Sequence, residues 1–194
     1  MTNKENAFIS IDAFLFPVLA FSFLVFPVKW ILGWVVAIAV HECCHYIALR
    51  LLSVQIWNVY IGLFGAKMHT DSMPAFTEFL CALAGPLGSL LLLFLSKQFP
   101  YVAICALSQC IFNLLPVNTL DGGRMLCCIV SLFLREETAQ KVCRITSNTI
   151  QFLLIIGILY LILKQRISVI VALPVLCLLI HFISREKHLA KRAK

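Results

Sequence analysis

The chain has 194 residues, 61% of them hydrophobic and 13% charged, with a formal net charge of +7, and its mean hydropathy is +0.96. Soluble domains run to roughly 45–50% apolar and about 25% charged, so a water-soluble domain is excluded, and so is intrinsic disorder, which needs the opposite balance. The positive charge lies in short connectors and a basic tail; that pattern belongs to membrane topology and not to nucleic-acid binding.

A bilayer core takes about 20 apolar residues as helix. Six segments meet this, some loosely. The first is residues 8–27, with Asp12 near its start and Pro17 inside it, and the second is 31–52. Residues 53–75 form the longest connector, where β-branched and aromatic residues interrupted by glycine predict short strands or a hairpin at the membrane surface. The third span is 76–96. The fourth, 101–134, is too long for one straight span, and Pro116 and Gly122-Gly123 predict two half-helices around an irregular turn. Such breaks are tolerated at membrane depth where they are buried in protein or line a wet cavity. The fifth and sixth spans are 145–163 and 167–184, followed by the basic tail 185–194.

The expected fold is therefore an all-α polytopic membrane protein with about six transmembrane helices, the fourth broken, and a short strand-like connector. One membrane core covers 1–184, and 185–194 is a cytoplasmic tail. With the tail cytoplasmic, eleven of the 16 Lys and Arg residues fall on its side, against four (Lys29, Lys97, Lys164 and Arg166) on the other. Positive charge stays inside, so both termini are expected in the cytoplasm of a multi-pass cell-membrane protein. No cleavable signal peptide stands out. The nine cysteines are odd in number and lie mostly in apolar runs; they suit reduced packing residues better than disulfides.

The sharpest signal is His41-Glu42-Cys43-Cys44-His45. On a helix, i and i+4 share a face. Two imidazoles there can bind one metal ion, and the glutamate beside the first can serve as general base. Chance would supply such a run roughly 0.004 times in a chain of this composition. Ionisable residues inside a span are expensive and mark function. A hydrolytic zinc site takes three protein ligands and leaves one position open. Asp121 is the best third candidate, because it is the only acid in the fourth span and stands at its break before two glycines. His69, His181, His188 and Cys44 are weaker candidates, and Asp12 and Glu78 sit at span ends where water solvates them.

These residues resemble a family. His-Glu-x-x-His in the second span, Asn113-Leu-Leu-Pro116 with Leu120-Asp121-Gly122 in the fourth, and Ala84-Gly85-Pro86 in the third are similar to the signatures of site-2 proteases, which are intramembrane zinc metalloproteases. The resemblance covers nearly the whole chain. It implies one zinc ion per chain held by His41, His45 and Asp121, with Glu42 as base and Asn113 near the site assisting the substrate or oxyanion. A helix–helix hydrogen bond is the other role open to Asn113. The resemblance also implies a membrane-associated protein substrate, regulatory membrane proteins and a lipid environment. Likeness to the sporulation branch of the family implies a sigma-factor precursor as substrate. Where that branch carries a soluble domain after its membrane core, this sequence ends about ten residues after the sixth span. Cys44 stands where the family usually has glycine, and Thr119 where it often has proline. A metal transporter also needs intramembrane histidines and a broken helix, and an inactive protease-like binding protein would keep the fold; these are the rival classes.

Overall fold

The computed structural model describes residues 8–11, 13, 15–62 and 65–164. The chain divides into two compact units, 1–114 and 115–194. The expected sixth span, the tail, Asp12, His181 and His188 lie outside the described residues.

The first unit opens on a short strand, β1 (Phe8–Ile11), and not on a membrane helix. Hydropathy over 8–27 cannot separate a short apolar strand from a helix segment, and here the β-branched Ile9 and Ile11 enter a sheet. The helix that follows, α1 (Leu15–Val25), has only 11 residues. Pro27 ends that run and caps α2 (Val28–Leu51), whose 24 residues rise about 36 Å at 1.5 Å each. That is enough to cross a hydrocarbon core. α2 stops at Ser53, whose positive φ of 55° turns the chain back, with Val54 N–H donating to Leu49 O at 2.9 Å.

The connector then forms the strands β2 (Ile56–Gly62) and β3 (Gly65–Thr70), as its composition predicts. They pair antiparallel, Val59 opposite Met68 and Gly62 opposite Gly65, with an irregularity between Ile56 and Asn58. β1 pairs parallel to the other side of β2, Phe8 opposite Asn58 and Ile11 opposite Ile61. The result is a three-stranded sheet in the order β1-β2-β3, which an all-α description of the chain omits. Trp57 Nε1–H donates to Asp71 Oδ1 at 2.8 Å and ties the start of β2 to the segment after β3.

α3 (Ala75–Leu91) continues through a 3-10 turn, Leu92–Leu95. α4 (Pro100–Asn113) begins with proline at a position where the missing N–H costs nothing. Small residues let α2, α3 and α4 approach closely, as membrane helices do when apolar burial cannot drive their association. Ala37, Leu92, Cys105 and Ala106 form the packed centre of this unit.

The second unit begins with a tight turn in which Leu120 N–H donates to Val117 O at 2.8 Å. α5 (Asp121–Phe133) starts directly after it. α6 (Glu136–Leu163) runs 28 residues, starting nine residues before the expected fifth span. Its first turn carries Glu136 and Glu137, where the positive end of the helix dipole favours acids. Ala139, Cys143, Ser147 and Gln151 recur every four residues along its buried stripe. Ser147 Oγ accepts from Asn118 N–H at 3.2 Å and from Gln151 Nε2 at 3.4 Å, so α6 fixes the turn that leads into α5.

Three segments among the described residues are long and apolar enough to cross a membrane: Val28–Leu51, Ala75–Leu95 and Glu136–Leu163. Large side chains such as Leu24, Phe94, Phe133 and Leu163 stand more than four-fifths exposed. In water that would be costly; against lipid it is the ordinary outer face of a membrane helix.

Candidate metal centre

His41 and His45 project from one face of α2, as their spacing predicts. Their Nε2 atoms stand 3.1 Å apart, with the rings edge to face at 84°. His41 is buried, 2% exposed. The other nitrogen of each ring is held by α3. His45 Nδ1 lies 2.7 Å from the Cys81 carbonyl oxygen, and His41 Nδ1 lies 3.0 Å from Ser89 Oγ. Cys81 and Ser89 are eight residues apart, two turns of one helix face. Between them on that face is Gly85. A Cβ there would overlap His45 Nε2 and stand 2.7 Å from His41 Cε1, so only glycine lets α3 press against both rings. Gly88 takes the Cys44 side chain in the same way. That contact directs Cys44 to α3.

A carbonyl oxygen only accepts, so His45 carries its proton on Nδ1 in the neutral ring, and its Nε2 offers a lone pair. Two nitrogens on one tetrahedral zinc at about 2.0–2.1 Å from each stand roughly 3.3 Å apart. The observed 3.1 Å fits that demand, and the partners on α3 are the kind of outer-shell groups that orient ligating imidazoles. These two histidines therefore fit a zinc ion.

Glu42 is half-buried on the next side of α2. Its Oε1 meets Gly65, the first residue of β3, whose φ is +105°. Glycine suits the left-handed backbone there, and a Cβ would press on the end of the Glu42 side chain, which would have to shift. The sheet thus reaches the glutamate at the first residue of β3.

Asp121 is the first residue of α5 and is 8% exposed. A carboxylate is favoured at a helix N-terminus. Arg124, one turn on, is 4.0 Å away, the long limit of an ion pair. Gly123 sits so close to Val117 O that a Cβ would overlap it; the glycine pair lets the turn fold tightly under Asp121. Asn113 is the last residue of α4 and half-buried. His69 is exposed on β3 and Glu78 lies in the first turn of α3, away from the paired imidazoles along the chain. The orienting groups Cys81 O, Gly85 and Ser89 are the part of the site that motif spacing in α2 does not reach.

Comparison with known proteins adds three findings. A family model described as Peptidase family M50 matches residues 83–157, a stretch holding Gly85, Ser89, Asn113 and Asp121. Stage IV sporulation protein FB of Bacillus subtilis (strain 168) is 27% identical over 164 residues, which is 77% of this chain and 56% of that protein. The chain thus spans about half the length of that relative. The solved structure of the Site-2 Protease from Methanocaldococcus jannaschii superposes with a TM-score of 0.69 at 22% identity, covering 96% of this chain and 93% of that one; the likeness is one of fold.

Proposed function

We propose that this chain is a member of the site-2 protease family, which the family-model match, the sporulation relative and the shared fold support, and that it is a zinc metalloendopeptidase cutting a peptide bond in or near a membrane segment of a protein substrate. One observation carries the reading: two imidazoles on α2 turn their Nε2 atoms to a common point, 3.1 Å apart, while α3 holds both Nδ1 atoms. His41 and His45 would hold the metal, and we assign Asp121 as the third ligand, on its burial, its place at the start of α5 and its match to the family motif. Bound zinc would supply a Lewis acid that acidifies a water and polarises the scissile carbonyl. Glu42 takes the proton of the attacking water and returns it to the leaving amine. Asn113 assists the substrate or the developing oxyanion by hydrogen bonding.

A helical substrate shields its peptide bonds, so it must open into an extended strand. Edge addition is the general route for capturing one. β2 is flanked by β1 and β3, so it offers no free edge. The open side nearest Glu42 along the chain belongs to β3, which begins at Gly65. We assign docking to β3. The multi-pass membrane setting is common to the family; that both termini face the cytoplasm, and that regulatory membrane proteins control access, are further parts of the proposal. A sigma-factor precursor is the first substrate to try, on the strength of the sporulation relative.

The test is zinc per chain in detergent-purified protein, beside Asp121→Ala purified identically. One tightly held zinc in the parent and its loss in the variant are expected. A parent without zinc would refute the metalloprotease reading, and equal zinc in both would remove Asp121 from the ligand set.

A further inference from the structure

We infer that Ser89 is a positioning residue for the metal centre: a hydroxyl partner that lets His41 carry its ring proton on either nitrogen, so that Nε2 can be freed for a metal ion. The inference rests on the zinc reading above and concerns a residue outside the ligand and base set.

The argument follows from which partners can donate. His45 Nδ1 faces the Cys81 carbonyl at 2.7 Å. A carbonyl cannot donate, so the His45 proton stays on Nδ1 and its Nε2 is an acceptor in every neutral state. His41 Nε2 lies 3.1 Å from that acceptor. Two arrangements suit this contact: His41 donates from Nε2, or a cation lies between two lone pairs. The two ways need opposite tautomers of His41. In the first, its Nδ1 is bare and must accept. In the second, the proton has moved to Nδ1, which must donate.

Ser89 Oγ, 3.0 Å from His41 Nδ1, serves both. A hydroxyl donates or accepts by rotating its hydrogen. A carboxylate or carbonyl at this place would lock the metal-ready tautomer; an apolar side chain would take the hydroxyl away from Nδ1, in a site where Ser89 is 0% and His41 2% exposed. The asymmetry at the two Nδ1 atoms is thus built into α3: His45 meets a main-chain carbonyl, and His41 meets a hydroxyl that can donate or accept. Ser89 also lies four residues after Gly85 on α3, so the same face that admits the rings supplies the hydroxyl.

The experiment compares the parent with Ser89→Ala and Ser89→Cys. Alanine removes the hydrogen bond; cysteine keeps the volume and leaves a weak acceptor and donor. Zinc affinity and release are read by competition with a chromophoric chelator, ligand geometry by the visible spectrum of the cobalt-loaded protein, and packing by thermal unfolding of the zinc-free forms. Both variants are expected to bind zinc at least 10-fold more weakly, within the 10–100-fold range typical of outer-shell partners, with an altered cobalt spectrum and zinc-free melting near the parent's. A parent that holds one zinc and variants that match its affinity overturn the Ser89 inference alone. A cysteine variant that behaves as the parent while alanine loses zinc and thermal stability together overturns it in favour of packing. A parent that binds no zinc overturns the metal reading and this inference with it.

Discussion

Gly85→Ala is the smallest change that should empty the metal centre without touching a ligand. A Cβ at this position would stand 2.6 Å from His45 Cε1 and 2.7 Å from His41 Cε1, and it would overlap His45 Nε2. Ordinary carbon contacts begin near 3.4 Å, so the His41 ring must withdraw from α3 by about 0.7 Å and the His45 ring, whose Nε2 overlaps, by more than about 0.8 Å. That retreat stretches the bonds that start at 2.7 Å to Cys81 O and 3.0 Å to Ser89 Oγ to about 3.5 Å or more, the limit of a hydrogen bond. Metal ligands tolerate errors of only about 0.2 Å.

Two consequences are separable. Zinc affinity should fall on the order of 10–100-fold or more, because both outer-shell partners are lost together. Fold stability should fall by about 1–3 kcal/mol, the usual cost of one added methyl in a tight interface. The assay is zinc stoichiometry after gel filtration against a chelator, alongside thermal unfolding by circular dichroism. Gly157→Ala is the control: nothing lies within 4 Å of a Cβ there, so zinc should be unchanged and helix propensity should favour alanine by up to about 1 kcal/mol. A Gly85→Ala protein that retains one zinc at parental affinity would refute the argument, since it would mean that α3 does not hold the rings.

Three further outcomes follow from the same geometry. Glu42→Gln should retain zinc and lose cleavage of a membrane-tethered sigma-factor precursor by about 100-fold or more; retained cleavage would remove Glu42 as base. Gln109→Met should raise the melting temperature, because Gln109 Oε1 is buried with no hydrogen-bond partner among the described residues and removing such an atom recovers about 1 kcal/mol; a lower melting temperature would mean that the amide is paired. Chelation should lower the stability of the parent by about 2.7 kcal/mol at free zinc near 100 times Kd, and should leave Asp121→Ala unmoved; equal chelator sensitivity in the two would count against Asp121 as a ligand.

The candidate site was legible where local periodicity governs it. His41 and His45 are one helical turn apart, so their pairing follows from the rise and twist of any helix. Asp121 stands out as the only acid in the fourth expected span, at its break before two glycines; the start of a helix also favours an acid there, and its role as a ligand is a proposal. The sheet was half legible: composition marks 53–75 as strand, but β1 is four residues in an apolar stretch, and only its pairing with β2 makes it a strand rather than the start of a span. The least legible part was tertiary. No motif in α2 says that the Cys81 carbonyl and Ser89 will meet its two rings, because those contacts depend on how closely α3 can approach. The small residues that permit the approach were visible all the same. Cys81, Gly85 and Ser89 recur every four residues through an otherwise leucine-rich helix, and Gly88 faces Cys44. A stripe of that kind on a membrane helix predicts a close neighbour; when the neighbouring helix carries paired histidines, it also predicts where their outer nitrogens will find partners.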